Sequence, residues 1–266
     1  MTGGGAHPAR RGELSTASPL KLRVSKVVAS DPAGRVIGAL TRNRVRHQGL
    51  QFDVRSDDFS PRVRAQMFWG AYEGAETRMI RSFLTGATTV VELGGSLGVT
   101  TAHIAAMMAP GGHLICVEAN PRLIPGLRDR TLPRVTSLQV DLIHAAVTSH
   151  RGTTMLTIAP DTVGSRLGRP RPHEATVRVP ALTLRDILRR TGVADFDLVS
   201  DIEGAEVAFL RHDPGGRDGC RRGVIELHET TLGGETVSVP DLIDSVAAAG
   251  FRIVSRRGPG VAFARS

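Results

Sequence analysis

The chain has 266 residues, 41% hydrophobic and 23% charged, the balance of a globular protein built around one large domain. Two cysteines, Cys116 and Cys220, exclude a disulfide scaffold and a four-cysteine zinc site, and aromatics at 4% argue against a stacking platform for single-stranded nucleic acid. The net charge is +8, yet all but Lys21 and Lys26 of the 34 basic residues are arginines scattered in short groups, which reads as GC-rich coding and a solvated surface more than as a nucleic-acid patch.

Residues 1–18 contain Gly, Arg and Ser without an apolar stretch, which predicts a disordered tail and not a secretory signal. No run reaches the roughly 18 apolar residues of a membrane helix, so no membrane partner is expected and the cytoplasm is the expected location. Residues 19–84 are expected to form a small lead-in or cap. Within it, 24–40 has helical spacing interrupted at Asp31-Pro32, 49–55 alternates like a short strand, and 61–84 reads as one helix or two, with Gly70 and Gly74 as candidate breaks. From residue 85 short apolar runs alternate with helical segments. Strands are expected at 89–93, 113–118, within 135–147, at 196–201 and at 223–228, and helices at 99–108, 121–128, 205–210 and 239–249. The end, 251–256 and 261–265 across Gly258-Pro259-Gly260, reads as an antiparallel hairpin. Fully apolar strands separated by helices imply a parallel, doubly wound α/β sheet of Rossmann-like type. Residues 161–174 have no periodicity and read as a long, functional loop.

Four constellations carry candidate chemistry. After the first strand, Glu92-Leu93-Gly94-Gly95-Ser96-Leu97-Gly98 opens a helix. Glycines there permit a sharp turn and close approach to a ligand, but the spacing is not Gly-x-Gly-x-x-Gly, and an acid precedes the turn. A carboxylate suits a ligand bearing an ammonium group, such as the methionine end of S-adenosylmethionine. At the end of the second strand, Glu118-Ala119-Asn120-Pro121 places an acid where it can accept ribose hydroxyls, while Asn120 can cap the next turn. The fourth strand ends in Asp201-Ile202-Glu203-Gly204-Ala205-Glu206, three carboxylates beside the switch point, two of which also complement a helix dipole. The fifth ends in Glu226-Leu227-His228-Glu229, with Glu226 and His228 on one face and His228 suited to act as a general base. Cys116 alternates into the strand interior and reads as core.

Together these blocks resemble the FkbM family of S-adenosylmethionine-dependent methyltransferases. The run Asp201-Ile202-Glu203-Gly204-Ala205-Glu206 is similar to its most specific signature, and VRVPALTLRDIL at 177–188 is similar to the stretch upstream. Ala145-Ala146-Val147, Ile225-Glu226-Leu227-His228 and Tyr72-Glu73 with Glu76 also fit, so the resemblance spans about residues 60–256. Glu92 stands where the family has Asp, and Ser200 where a lysine is common. The resemblance implies a class I methyltransferase fold, Rossmann-like with an antiparallel C-terminal hairpin. It implies S-adenosylmethionine held by Gly94, Gly98 and Glu118, with Asp201 bordering the methyl; Glu92, Gly95, Ser96, Ala119, Asn120 and Ala145 complete the expected cofactor seat.

The implied reaction is O-methylation of a sugar or secondary metabolite, with His228 first and Glu203 second as base and Asp201 beside them. The acceptor pocket is expected at the 161–174 loop and the 61–84 segment. A divalent metal on Asp201, Glu203, Glu226 and His228 is an alternative that no tight ligand spacing supports. An RNA methyltransferase, an NAD-binding dehydrogenase and a non-catalytic Rossmann protein remain as competing readings.

Overall fold

The computed structural model describes residues 29–132, 135–159, 164–168, 170–172, 174–232 and 234–266. The expected tail at 1–18 and the start of the 24–40 helix lie outside them. Helix α1 (Asp31–Thr41) begins at Asp31-Pro32, because proline at the first helical turn lacks only an N–H that would be unpaired anyway. Strands β1 (Arg44–His47) and β2 (Leu50–Asp53) form an antiparallel hairpin whose turn, Gln48-Gly49, takes positive φ at both residues. The 61–84 segment is two helices, α2 (Pro61–Phe68), capped by the Ser60 hydroxyl, and α3 (Gly74–Phe83).

The core is a seven-stranded sheet of β3 (Thr89–Leu93), β4 (His113–Glu118), β5 (Gln139–His144), β10 (Phe196–Ser200), β11 (Cys220–Glu226), β14 (Phe251–Arg257) and β15 (Gly260–Arg265), in the order β14-β15-β11-β10-β3-β4-β5. β3, β4, β5, β10 and β11 run parallel, and β15 enters antiparallel between β11 and β14. Alternate residues serve opposite layers. Val91, Ile115, Leu198, Ile225 and Phe263 pack under α5 (Leu184–Thr191), α6 (Glu206–His212) and α7 (Val239–Ala248). Val90, Leu114, Val199, Val224 and Ala262 pack with Met79 and Ile80 of α3 and Ile104 of α4 (Val99–Met107). Burial on both faces is why these strands read as unbroken apolar runs.

Three differences from expectation have physical causes. The helix expected at 121–128 starts later, as a single turn at Ile124–Gly126 with Pro125 in its first turn, where the missing N–H costs nothing, and runs into a wider π-turn at Leu127–Thr131. The third strand stops at His144, and β6 (Ala146–Val147) leaves for a second sheet. That sheet, with β7 (Gly152–Ile158), β8 (Arg166–Leu167) and β9 (Ala175–Leu182) in the order β6-β9-β7-β8, absorbs part of the expected loop. The fifth strand ends at Glu226, two residues before His228, and a short hairpin of β12 (Thr230–Leu232) and β13 (Glu235–Val237) follows. Among the described residues no helix is long and apolar enough to cross a membrane.

Candidate active site

A crevice opens at the carboxyl ends of β3, β4 and β10, where a doubly wound sheet binds ligands. Its floor begins at Gly94, whose φ of +93° and close approach to the Asp201 carbonyl leave no room for a side chain; a Cβ there would lie 2.0 Å from that oxygen. The next acid along the floor is Glu118, 7% exposed, whose carboxylate accepts the backbone N–H of Ser96 at 2.7 Å and of Asn120 at 2.6 Å. Burial raises its pKa, against the pull of those N–H donors. The second sheet forms the opposite wall. Gly164, Ser165, Arg166 and Leu167 line the crevice, Arg166 is held by a bidentate ion pair to Glu174, and Ser165 accepts from the Asn120 amide at 3.2 Å. The described part of the 161–174 segment is therefore a wall of the crevice.

Of the residues expected to hold the cofactor, Gly94, Ser96, Glu118, Ala119, Ala145 and Asp201 line this crevice. Glu92, Gly95, Gly98 and Asn120 do not. Glu92 is fully buried beneath the turn, accepts from the Thr101 hydroxyl at 3.0 Å, and is pushed up to about 8 by burial, so it braces the loop from below. Gly95 and Gly98 make room for Cys116 and Thr131, and Asn120 accepts the Arg122 N–H, capping the turn. Ser200, standing where the family's lysine is common, is fully buried.

Beside the crevice four carboxylates converge on one histidine. His228 Nδ1 lies 3.1 Å from Glu206 Oε1, and its Nε2 lies 3.8 Å from Asp201, 3.7 Å from Glu203 and 3.9 Å from Glu226. Burial pulls the imidazole down, but the Glu206 hydrogen bond and the surrounding carboxylates outweigh it and hold His228 at about 9. His228 is not among the residues that line the crevice, and its Nε2 faces the Asp201, Glu203 and Glu226 carboxylates from beside it. Burial raises Asp201 well above the carboxylate range and also raises Glu203. Two further acids extend the cluster. Glu73 lines the crevice from the turn before α3 and binds the Thr100 hydroxyl, and Glu76 sits one turn further on. Glu73 entered the sequence reading only through the family resemblance; no local signal tied a turn so far upstream to the sheet's edge. Two trios, Asp201/Glu203/His228 and Glu76/Asp201/Glu226, each bring three ligand atoms within 4.8 Å of one another.

Comparison with known proteins adds a family. Residues 70–253 match the family model of the methyltransferase FkbM domain. No sequence among the curated proteins matches significantly. Among solved structures the chain is similar to M. jannaschii TYW2 in complex with AdoMet (14% identity, 84% of this chain, 86% of that one, TM-score 0.41). It is also similar to a putative rRNA-methylase from Clostridium thermocellum (11%, 73%, 95%, 0.42) and to Aeropyrum pernix fibrillarin with natively bound S-adenosyl-L-methionine (13%, 71%, 72%, 0.39). At TM-scores below 0.5 these likenesses carry no argument about acceptor or mechanism. The family model spans the switch-point turn, the carboxylate signature and His228: the chain belongs to the FkbM methyltransferase domain family and is an S-adenosylmethionine-dependent methyltransferase.

Proposed function

We propose that the chain methylates a hydroxyl oxygen of a small acceptor, a sugar or secondary metabolite. The observation that supports this best is the division of the crevice. One end offers Glu118, Ala119 and Ala145, suited to a nucleoside, and the other offers Glu73, Asp201 and Glu203, suited to a cationic sulfonium and a hydroxyl. The fit has an independent mark: Asp201 Oδ1 has no hydrogen-bond partner although it borders the crevice. When bound, S-adenosylmethionine supplies a sulfonium methyl that passes to the acceptor oxygen and leaves as part of the product.

The chain's own residues then align, exclude water and take the proton. Alignment of two reactants in such a crevice can contribute up to about 7–11 kcal/mol, and the Gly94 turn and the β8 wall are the parts that would supply it here. Glu203 lines the crevice and receives the hydroxyl proton, and His228 beside it balances the added acids. The remaining residues of the reading, Gly95, Gly98 and Asn120, shape the turns that hold Ser96 and Ala119 in place.

Incubation with S-adenosylmethionine and a panel of glycosides and hydroxylated natural products tests this. Methylated glycoside with stoichiometric S-adenosylhomocysteine is expected. Salt-sensitive methyl incorporation into RNA, with no small acceptor used, would replace this reading with the nucleic-acid one.

A further inference from the structure

Glu76 lies on the inward face of α3, 4% exposed, and neither of its carboxylate oxygens has a hydrogen-bond partner. A buried carboxylate is expected to be paired or to bind a metal. The charges that bear most on it, from Asp201, Glu73, Glu226 and Glu92, are all negative. Asp201 and Glu226 each bring one oxygen so that the three lie within 4.8 Å of one another, and Asp201 Oδ1 has no hydrogen-bond partner. His228 balances Asp201 and Glu226 from 3.8 and 3.9 Å, and no ion pair reaches Glu76 among the described residues.

We propose that Glu76, Asp201 and Glu226 hold a divalent cation of the Mg²⁺ or Mn²⁺ kind at the acceptor side of the crevice. The donors are all oxygens, which selects a hard cation. Their oxygens lie within 4.8 Å of one another, close enough for three carboxylates to share one cation at metal–oxygen distances of roughly 2.1–2.5 Å. Asp201 lines the crevice, while Glu76 and Glu226 line a small hollow that opens beside Arg257. The cation thus sits between the two, with an entry path from the hollow and open positions toward the crevice. There it holds an acceptor oxygen and lowers the pKa of that hydroxyl. This last role rests on the O-methylation reading; the binding of the cation does not.

The test uses the full chain, stripped with EDTA and titrated with Mn²⁺ by electron paramagnetic resonance, with calorimetry of S-adenosylmethionine in parallel. About one bound Mn²⁺ per chain is expected, displaced by Mg²⁺. Glu76→Gln and Glu226→Gln should each weaken it at least tenfold, and Glu235→Gln, exposed on β13, should leave it unchanged. Glu226 is half-buried, so its variant keeps the test open if Glu76→Gln fails to fold. No Mn²⁺ binding below millimolar concentration would overturn the proposal, as would Mn²⁺ binding that both variants leave intact. Mn²⁺ binding in a chain that does not bind S-adenosylmethionine would uphold the cation site and sink the acceptor reading instead.

Discussion

Glu118 Oε2 accepts the backbone N–H of Ser96 at 2.7 Å, joining the end of β4 to the turn that leaves β3. The same carboxylate takes the Asn120 N–H through its other oxygen. One side chain thus fixes two turns of the crevice. Hydrogen bonds to a charged group contribute about 1.5–3 kcal/mol each. Glu118→Ala should therefore weaken S-adenosylmethionine binding by about tenfold or more, read by calorimetry, and Glu118→Gln should lose less. Unchanged affinity in Glu118→Ala would remove it from the cofactor seat.

Glu203 is expected to act on the proton and not on the cofactor. Glu203→Gln should lower kcat by roughly 10²-fold, the ordinary contribution of a general base, and leave S-adenosylmethionine affinity within about threefold. Equal loss in both quantities would make it a binding residue.

Glycine is required at position 94 by two independent constraints, φ of +93° and the Asp201 carbonyl oxygen only 2.0 Å from where an alanine methyl would lie. Gly94→Ala should cost more than about 3 kcal/mol in denaturant unfolding. Gly111, with φ of +77° and open space around it, isolates the backbone cost alone. Gly111→Ala should lose only about 1–2 kcal/mol. Similar losses at both positions would mean that the turn relaxes around the clash.

Away from the crevice, His47 Nδ1 and His103 Nε2 meet at 3.0 Å in the core. Burial lowers His103 to about 4, with His47 adding to the effect, and burial also lowers His47. The unfolded chain takes up these protons near pH 6.5 and the folded one does not. Stability is therefore fully present above about pH 6.5 and falls as the pH drops toward 4, by on the order of 3 kcal/mol for His103. Denaturant midpoints measured from pH 7 to 4.5 should show that fall, and His103→Gln should flatten it.

What the sequence makes legible follows from burial. β3, β4 and β10 are covered on both faces, so Thr89–Leu93, His113–Glu118 and Phe196–Ser200 show as apolar runs with their boundaries nearly in place. β7 and β9 expose one face, and threonines and arginines such as Thr153, Thr154 and Arg178 dilute the pattern below recognition. The β1–β2 turn is carried by Gln48 at φ 44°, where asparagine would have signalled it. In the site, residues at strand ends are legible because the motif and the strand end coincide. The environment of His228 is not, because Glu206 and Asp201 meet it only through the fold. Glu92 shows the same limit from the other side: its place in the motif is clear, but its direction, toward Thr101 and away from the crevice, is set by the packing of α4.

Helix α3 does two jobs at once. Its Met79 and Ile80 roof the sheet over Val90, Val199, Val224 and Ala262, while its first turn and the residue before it deliver Glu76 and Glu73 to the acids. A shortened chain starting at Thr89 would strip that roof and present a bare aliphatic slab to water. Trimming to the alternating strands and helices would then yield aggregation in place of a smaller catalyst, and any swap of acceptor preference by domain grafting must carry this helix along.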